Sequence, residues 1–282
     1  MIDLILATVA RTEEPLRLLR SLEAQTFRDF RLIVVDQNDG GRLEPVLEPF
    51  VSAFPFLRLR SELGNSRARN VGLRHVGGDV VGFPDDDCWY PPDLLARVAD
   101  YLSAHPDLDG VSARCVDEEG SASGGRWARR SGILTRFNVW SRVNACTVFI
   151  RRSVVESTGY FDETLGLGPQ ARWPAGEDLD YVLRSVQRGS KIAYEPTLCV
   201  YHPQRREGLS TPAPASGYRY GTGAGRVLRK NELPPWFAGY YVARSFGAAI
   251  LSLLQMQMGR SRFYWAVGKG RVRGWRSPST SS

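Results

Sequence analysis

The sequence contains few of the residues that build disulfide frameworks or zinc sites. It has four cysteines, none of them in a CxxC spacing, and only three histidines among 282 residues. Scattered cysteines of this kind are typical of free thiols in a reducing compartment. The first apolar run, residues 2–7, is short for the core of a signal peptide and has no basic residue before it. We therefore predict that this run is a first β-strand and that the protein is cytoplasmic.

Acidic residues are scarce in the last part of the chain. Residues 204–282 contain 13 Lys/Arg and 2 Asp/Glu, whereas the preceding residues contain 24 Lys/Arg and 28 Asp/Glu. A basic region attached to a mildly acidic body indicates an anionic partner, either a membrane surface or nucleic acid. The 43% hydrophobic content over this length is enough to form a substantial core.

The most informative stretch, residues 80–95, reads VVGFPDDDCWYPPDLL. Residues 80–83 form an apolar run typical of a buried strand, and Pro84 ends it. Asp85, Asp86 and Asp87 follow directly. Three adjacent carboxylates repel one another, so they must be solvated, paired with bases or bridged by a hard cation such as Mg²⁺ or Mn²⁺. An acidic turn that precedes the next helix is the alternative, but three carboxylates after a buried strand favour a metal–diphosphate site.

Apolar runs alternate with helical patterns over the first 200 residues. The strand pattern covers residues 2–7, 31–35, 56–59, 80–83, 108–114, 144–150, 192–194 and 198–201. The helical pattern covers residues 12–25, 43–51, 65–74, 91–104 and 177–188, with one of Pro91 and Pro92 at the first helical position. This alternation predicts right-handed βαβ units and a parallel sheet. Beyond residue 203, helices are predicted over residues 216–231, 236–258 and 261–275.

Two further motifs lie in the first half of the chain. Asp36 ends the second predicted strand, where a carboxylate can accept hydrogen bonds from a base or a ribose. A turn aspartate is an equally good interpretation. Residues 64–70, GNSRARN, open a helix with Arg67 and Arg69, and helix-start amides with arginines suit a diphosphate. The alternative is a surface helix with solvated arginines.

Two motifs lie in the second half. Glu177 and Asp178 stand at a predicted helix start, where acidic residues ordinarily complement the helix dipole. The functional interpretation is that one of them is a general base for an incoming hydroxyl group. His202 follows the last predicted strand. An isolated histidine is more often structural, but a metal or phosphate role fits a strand beside the three carboxylates.

Two loops, residues 120–142 and 166–174, carry tryptophans at positions 127, 140 and 173. Tryptophan rings in loops can form a flat platform for a sugar, but they also pack into cores. The sequence leaves both interpretations open for these three residues.

These motifs, in this order, resemble an inverting family 2 glycosyltransferase with the GT-A fold, over residues 1–203. The resemblance implies an α/β protein with a Rossmann-like, mixed and mostly parallel sheet flanked by helices, and a C-terminal helical extension. Residues 1–203 would then be the catalytic domain, with a nucleotide-binding half to about residue 115 and an acceptor half over residues 116–203. Residues 204–276 would be the basic helical extension and 277–282 a disordered tail.

The resemblance also assigns roles to residues. It places the base at Asp178, with Glu177 beside it. It implies a divalent cation, Mn²⁺ or Mg²⁺, held by Asp87, Asp85 and His202. The donor-binding residues that it implies are Thr8, Arg11, Asp36, Asn65, Arg67, Asn70, Asp85 and Asp86. Two positions depart from the family's usual pattern: Ala7 stands where proline is common, and Gln37 where an acidic or small residue is common.

The implied activity is inverting transfer of a sugar, of the hexosyl type, from a nucleotide-diphosphate donor. The acceptor would be a hydroxyl group of a glycan, a lipid-linked intermediate or a small molecule, in bacterial polysaccharide, glycolipid or other glycoconjugate synthesis. A sugar nucleotidyltransferase is a weaker alternative, because the stretch after the first strand, ATVARTEE, lacks the glycine-rich phosphate loop of that class. A non-catalytic nucleotide-sugar or nucleic-acid binding protein is the other alternative. No nucleic-acid-binding motif is visible in the basic region, so we expect no nucleic-acid partner.

Residues 236–258 are apolar apart from Arg244 and two glutamines. Their length would allow a membrane span, but an arginine near the middle is unfavourable there. We therefore predict a helix that packs on the protein or lies in the interface of an anionic membrane. The basic residues of the following stretch support such a peripheral contact through residues 236–276, on the inner face of the cell membrane.

Overall fold

The computed structural model describes residues 1–203 and 213–278. These residues form two compact units. The first unit comprises residues 1–161 and 181–203, and the second comprises residues 162–180 and 213–278. Residues 162–180, which the sequence analysis placed in the domain 1–203, thus group with the C-terminal helices. Residues 204–212 of the predicted extension and 279–282 of the predicted tail lie outside the described residues, whereas Ser277 is buried and donates a hydrogen bond to the Gly274 carbonyl.

The first unit is built on a mixed sheet. Its strands, in the described part of the chain, are β1 (Ile2–Thr8), β2 (Phe30–Asp36), β3 (Phe56–Arg60), β4 (Val80–Gly82), β5 (Gly110–Val116), β6 (Gly132–Ile133), β7 (Val148–Arg151) and β8 (Ile192–Tyr201). Their order across the sheet is β3-β2-β1-β4-β7-β5-β8-β6. The first four strands of this order are parallel to one another, and β5 is parallel to β8. β7 is antiparallel to β4 and β5, and β6 to β8. The predicted mixed sheet is confirmed.

The carboxyl ends of the parallel strands bring the polar motifs to one edge of the sheet. β1 and β2 are buried along almost their whole length, which explains their continuous apolar runs. They pair in a register that sets Thr8 beside Asp36. On the other side of β1, Ala7 forms an isolated bridge with Asp85, just beyond β4. Ligands of open α/β sheets bind at this kind of edge.

Helices cover the sheet and make up most of the second unit. They are α1 (Glu13–Glu23), α2 (Glu44–Leu47), α3 (Asn65–Leu73), α4 (Leu94–Ala104), α5 (Arg152–Thr158), α6 (Glu177–Gln187), α7 (Pro214–Lys230), α8 (Pro235–Leu254) and α9 (Met258–Trp275). In α1, the spacing of Leu16, Leu19 and Leu22 predicts the buried face; Leu19 and Leu22 are buried together with Leu18, whereas Leu16 is only partly buried. The boundary between the two units falls within α6, after Asp180.

Two local predictions were wrong, and one short strand was not predicted. α4 begins at Leu94 and not at the prolines, because the carbonyl of Pro92 accepts the backbone N–H of Thr26 at the end of α1. The strand predicted over residues 144–150 begins later, at Val148, because residues Ala145–Thr147 form a 3₁₀ turn. β6 was not predicted, since two exposed residues carry no periodic signal.

The packing of α7 against α9 in the second unit depends on glycine. A Cβ atom on Gly221 would overlap the carbonyl oxygen of Val267, and one on Gly225 would overlap that of Arg271. From α9, a Cβ on Gly274 would likewise meet a carbonyl oxygen of α7. The residue numbers of the contacts rise in the same direction along both helices, from Gly221 with Val267 to Gly225 with Arg271, so α7 and α9 run parallel. Small residues one helical turn apart are what allow two helix backbones to approach this closely.

We expect Gly221→Ala to lower the free energy of unfolding by about 1–3 kcal/mol, because the new methyl group must push α9 away. Gly239→Ala is the matched control, since Gly239 lies on an exposed part of α8 with nothing within 4 Å of its Cβ position. That change should be neutral or raise stability by up to about 1 kcal/mol through helix propensity. Urea denaturation measures both. Equal stability of the two variants would contradict the packing described here.

Candidate active site

The acidic turn, defined as Asp85, Asp86 and Asp87, follows β4 at the edge where β1 and β4 end. The backbone N–H of Cys88 donates to the Asp85 carbonyl at 3.2 Å and closes the turn. All three aspartates are partly buried, with side-chain exposures of 27%, 15% and 24% in sequence order. Partly buried carboxylates need cationic or hydrogen-bonding partners, and each of these three has them.

Asp86 is held by the last residue of β1 and by a residue of the loop that follows it. Thr8 donates its hydroxyl to Asp86 Oδ2 at 2.9 Å, and Arg11 Nη1 donates to Asp86 Oδ1 at 2.6 Å. Burial raises the pKa of the Asp86 carboxyl and the neighbouring charge of Asp87 adds to the rise, while Arg11 and Thr8 act in the opposite direction. The structure thus brings two predicted donor-binding residues, Thr8 and Arg11, to the acidic turn.

Asp87 lies between Arg11 and His202. Arg11 Nη1 is 2.8 Å from Asp87 Oδ2, and His202 Nε2 is 3.4 Å from Asp87 Oδ1. The end of β8 is fixed here because Trp89 and Tyr201 exchange two backbone hydrogen bonds and their rings stack with centroids 5.7 Å apart. The motifs DDDCW and YH, more than 100 residues apart in sequence, are therefore joined by one pair of neighbouring aromatic residues.

The Asp87–His202 pair shifts the pKa of both groups. Burial alone would raise the pKa of Asp87, but the hydrogen bond and charge of His202, together with Arg11, lower it to about 2. Burial alone would lower the pKa of His202, but Asp87 outweighs it and raises this pKa to about 9. Because these pKa values differ from those in the unfolded chain, both groups stabilise the fold over a limited pH range. The contribution of His202 to the free energy of unfolding is complete below pH 6.5, its ordinary pKa, and is lost as the pH rises through about 9. The contribution of Asp87 is complete above pH 3.8, its ordinary pKa, and is lost as the pH falls through about 2.

The donor set of Asp87 and His202 fits a divalent cation. A carboxylate oxygen and an imidazole nitrogen are both ligands for Mn²⁺. The other ring nitrogen of His202, Nδ1, is 3.0 Å from the Pro203 carbonyl oxygen, which is the usual outer partner of a ligating histidine. No group of three or more His, Cys, Asp or Glu side chains in the described residues is arranged to hold a metal. A cation at Asp87 and His202 would therefore take further ligands from phosphate and water oxygens.

Asp85 has a different partner from the other two aspartates. Arg69, a buried residue of α3, donates Nη2 to Asp85 Oδ1 at 2.8 Å. Its guanidinium carbon is 5.5 Å from the Phe161 ring centroid, so the arginine is fixed on both sides. Arg67, the predicted donor-binding residue of the same motif, forms an ion pair with Glu62. Arg69 thus reaches the acidic turn through Asp85.

Asp36 is engaged on both carboxylate oxygens. Oδ1 accepts the backbone N–H and the side-chain amide of Asn38, at 2.9 and 2.8 Å, and Oδ2 accepts Arg58 Nη2 at 2.8 Å, with Arg60 3.4 Å away. Burial acts to raise the pKa of Asp36, but these donors and charges lower it overall. The predicted contact of Asp36 with a nucleobase stays a prediction.

Gln37 and Asn38 connect the neighbouring loops, a role that the sequence analysis missed. Asn38 Oδ1 accepts the backbone N–H of Ala10 at 2.6 Å, and Ala10 has a φ of 61°, unusual for a residue with a side chain. Gln37 Oε1 accepts the backbone N–H of Gly64 at 2.7 Å. The two side chains after Asp36 therefore hold the loop that presents Arg11 and the start of α3. Polar residues directly after a buried strand were the available signal.

The remaining predicted donor-binding residues are the two asparagines of α3. Asn65 is its first residue and is partly buried. Asn70 is buried, and its side-chain amide donates to the Phe161 carbonyl at 3.0 Å and accepts the Phe161 N–H at 2.8 Å. This reciprocal pair of hydrogen bonds fixes the segment that follows α5.

The predicted base lies at the start of α6, in the second unit. Glu177 and Asp178 are its first two residues, and both are partly buried. Asp178 Oδ1 accepts the backbone N–H of Leu179 at 2.8 Å. Asp180, two residues further on, is completely buried. Trp173 in the preceding loop is also buried, under the Arg226 guanidinium, so it packs inside the second unit.

The cysteines form neither a disulfide nor a metal site in the described residues. Cys88, Cys115 and Cys146 are buried, and the last two have sulfurs 3.5 Å apart. Burial raises the pKa of the Cys88 thiol, and the hydrogen bond from Cys146 together with burial raises that of Cys115. A raised pKa keeps the Cys88 and Cys115 thiols protonated and unreactive, whereas their hydrogen bonds lower the pKa of Cys146.

The family to which this chain belongs is shown by its sequence. The family model described as glycosyl transferase family 2 matches residues 4–158, more than half of the chain. The chain belongs to glycosyl transferase family 2. The matched range includes the acidic turn, the loop that follows β1, and α3. It ends before α6 and His202.

Several characterised and uncharacterised proteins are similar in sequence to this glycosyltransferase. An uncharacterised glycosyltransferase of Haemophilus influenzae is 29% identical over 73% of this chain and 70% of its own length. The succinoglycan biosynthesis protein ExoM of Rhizobium meliloti is 26% identical over 80% of this chain and 75% of its own. The pre-mycofactocin glycosyltransferase of Mycobacterium tuberculosis is 29% identical over 64% of this chain, which spans 39% of that relative's length.

Solved GT-A glycosyltransferases share the fold. S. aureus TarS 1–349 in complex with UDP-GlcNAc has a TM-score of 0.62 at 16% identity, covering 97% of this chain and 92% of that one. The mannosyltransferase PcManGT of Pyrobaculum calidifontis, in complex with GDP-Man and Mn²⁺, has a TM-score of 0.65 at 17% identity, covering 96% and 86%. At these identities the likeness shows the fold, and it confirms the predicted GT-A class.

We expect the imidazole of His202 to titrate near pH 9 in the metal-free protein. Asp87→Asn removes the carboxylate partner, so the pKa of His202 should fall toward its ordinary value of about 6.5. NMR titration of the histidine side chains measures this change. An unchanged His202 titration in Asp87→Asn would contradict the ion pair.

Proposed function

We propose that this family 2 glycosyltransferase moves a sugar from a nucleotide-diphosphate donor to a hydroxyl acceptor with inversion of the anomeric centre. The observation that carries the proposal is the acidic turn, whose three carboxylates are matched by Arg11, Arg69 and His202 at the ligand-binding edge of the sheet. A site that combines fixed carboxylates with adjacent cationic groups suits a diphosphate that arrives with a divalent cation. Complexes of fold relatives with UDP-GlcNAc and GDP-Man support this donor class.

The acidic turn and its neighbours would bind the donor. Arg11 is 41% exposed, so its guanidinium is accessible and can exchange a carboxylate for a phosphate oxygen. Arg69 is buried and would instead keep Asp85 oriented. The proposed donor-binding residues are Thr8, Arg11, Asp36, Asn65, Arg67, Asn70, Asp85 and Asp86, with the orienting residue Arg69 added from the structure.

Asp87 and His202 would hold the divalent cation, Mn²⁺ or Mg²⁺, with Asp85 as the third proposed ligand. When bound, such a cation neutralises charge on the diphosphate as the bond to the sugar breaks. The Mn²⁺ in the Pyrobaculum complex supports use of a divalent metal by this fold. His202 must lose the proton that Asp87 stabilises before its nitrogen can act as a ligand.

Asp178 is the proposed general base, with Glu177 beside it. As a carboxylate it would accept the proton of the acceptor hydroxyl while that oxygen attacks the anomeric carbon. A single displacement inverts the anomeric centre and needs no covalent sugar–enzyme intermediate. The partly buried position of Asp178 at a helix start supports the assignment, because the side chain is fixed yet accessible.

The pathway and the acceptor are proposed from the relatives. The similarity to a succinoglycan biosynthesis protein supports polysaccharide or other glycoconjugate synthesis. The acceptor would be a hydroxyl group of a glycan, a lipid-linked intermediate or a small molecule.

We expect one nucleoside diphosphate among UDP, GDP, dTDP and CDP to bind with a strong dependence on Mn²⁺. Calorimetric titration of each, with and without the metal, measures this binding. Asp87→Ala should lower the metal-dependent affinity at least about tenfold, because one of the proposed metal-ligating side chains is lost. Absence of binding by any of the four nucleotides to the folded protein would refute the transferase proposal.

Asp178→Asn is the matched variant in the same titration. It keeps the shape of the side chain and removes the basic oxygen, so nucleotide binding should persist while turnover of the bound sugar nucleotide falls by about 10² to 10⁴. Retained turnover would show that Asp178 is not the base, and the proposal for the donor site would still stand.

We also propose that the second unit contacts an anionic membrane through α8 and α9. Exposed apolar side chains cluster at the end of α8 and in the turn after it, including Leu251 at 56%, Leu254 at 76% and Met256 at 88% exposure. Residues 233–282 contain seven Lys/Arg and no Asp/Glu. Apolar side chains beside a purely basic surface suit insertion at the level of anionic lipid headgroups. α8 also has the length and composition of a spanning helix, with 33% of its most apolar window buried.

We expect the protein to co-sediment with phosphatidylglycerol vesicles at about 0.15 M salt and much less with phosphatidylcholine vesicles, because the basic surface needs anionic lipid. The double variant Leu254→Glu/Met256→Glu should abolish sedimentation. Val51→Glu, which adds a charge at another exposed apolar position, is the control and should not. A wild-type protein that stays in the supernatant with both vesicles would refute the membrane proposal. If the wild type forms a dimer that the double variant disrupts, the surface binds a second copy of this chain instead. If the wild type shifts the mobility of DNA at that salt, the surface binds nucleic acid.

A further inference from the structure

The second unit contains a buried charge network that the proposed chemistry does not use. Asp180 is completely buried, two residues after the proposed base. Its Oδ2 accepts Lys230 Nζ at 2.9 Å, and its Oδ1 accepts Asn231 Nδ2 at 2.9 Å. Lys230 is the last residue of α7 and Asn231 follows it. A carboxylate that is fully buried is retained only when its oxygens are matched, so this network fixes the first turn of α6 to the end of α7.

Lys230 joins both ends of the segment 162–180. Besides Asp180, its ammonium group donates to Asp162 Oδ2 at 2.6 Å. Burial acts to raise the pKa of Asp162, but Lys230 and Thr164 lower it overall. The ammonium group of Lys230 therefore binds Asp162, the first residue of the segment, and Asp180, its last residue.

The backbone of the same segment lies directly on α7. A Cβ atom on Gly223 would overlap the carbonyl oxygen of Ala175, so only glycine permits this approach. Gly176 has a φ of 94°, and a Cβ there would lie 2.8 Å from Val227 Cγ2. The guanidinium carbon of Arg226 lies over the Trp173 ring, 5.5 Å from the ring centroid.

These contacts all fall on one face of α7. Positions 223, 226, 227 and 230 follow the i, i+3, i+4, i+7 spacing of a single helical stripe. They meet the chain just before and just after Glu177 and Asp178. Residues two apart on a helix point to different sides, so a clamp on Asp180 leaves Asp178 directed elsewhere.

We propose that α7 positions the general base, with Lys230 as the principal positioning residue. The inference rests on the proposed function, because it takes Asp178 as the base. A base must be held within a fraction of an ångström of its productive place, and residues behind it usually do this. The C-terminal helices are then part of the catalytic apparatus of this chain and not only a membrane-facing extension.

The test compares Lys230→Met, Lys230→Arg and Lys191→Met with the wild type. Lys191, an exposed lysine just before β8, is the matched control. Two quantities are measured: amide hydrogen exchange of the peptide covering residues 175–180, and kcat and KM for nucleoside diphosphate release from the sugar nucleotide that the protein binds. We expect Lys230→Met to speed exchange in that peptide and to lower kcat at least about tenfold, with donor KM within about twofold. Lys230→Arg should retain most of kcat, and Lys191→Met should change neither quantity.

The outcomes separate this inference from the proposed function. For Lys230→Met, faster exchange with an unchanged kcat would overturn the positioning role. Unchanged exchange would overturn it as well, and so would a loss of donor affinity as large as the loss of kcat. A wild type that releases no nucleoside diphosphate would refute the function, while exchange would still show whether Lys230 fixes the start of α6. If Lys230→Met does not fold, Asp162→Asn replaces it, since it keeps the Lys230–Asp180 pair. It should lower kcat severalfold at constant KM, and an unchanged kcat would overturn the proposal.

Discussion

Mutual repulsion among three adjacent carboxylates is the constraint on which the ligand edge of the first unit depends. Asp85, Asp86 and Asp87 are partly buried at the end of a short strand, so their charges must be compensated locally. Compensation comes from Arg69 on α3, Arg11 in the loop after β1, and His202 after β8. The three cationic groups come from elements far apart in sequence, so the site forms only together with the sheet that joins them.

The same arrangement would let the site bind the proposed donor with few changes in the surrounding structure. A diphosphate with its cation brings charge of both signs, so the carboxylates and the exposed arginine can exchange internal partners for ligand atoms. Deeper contacts need not change. Asp36, Gln37 and Asn38 hold the surrounding loops through hydrogen bonds that do not involve the acidic turn. In the second unit, glycine-mediated helix packing and the Lys230 network provide comparable rigidity around the start of α6.

Much of the fold was predictable because its signals are local. The continuous apolar runs of β1 and β2 and the leucine spacing of α1 identify those elements from a few neighbouring residues. Errors arose where distant groups decide the backbone. α4 starts late because a proline carbonyl accepts the Thr26 N–H at the end of α1. Among the predicted site residues, Thr8, Arg11, Asp87 and His202 contact one another or the acidic turn and Arg69 pairs with Asp85, while their roles in donor and metal binding stay predictions.

The sequence by itself determined the order of strands and helices, the acidic turn at a strand end and the basic character of the C-terminal helices. These properties depend on periodicity and composition within short windows. Only the tertiary structure decided which arginine meets which aspartate, that His202 pairs with Asp87, and that residues 162–180 group with α7 and its neighbours. Those outcomes depend on strand register and on glycine-permitted backbone contacts between segments 40 or more residues apart, for example Ala175 and Gly223, and no local pattern encodes such distances.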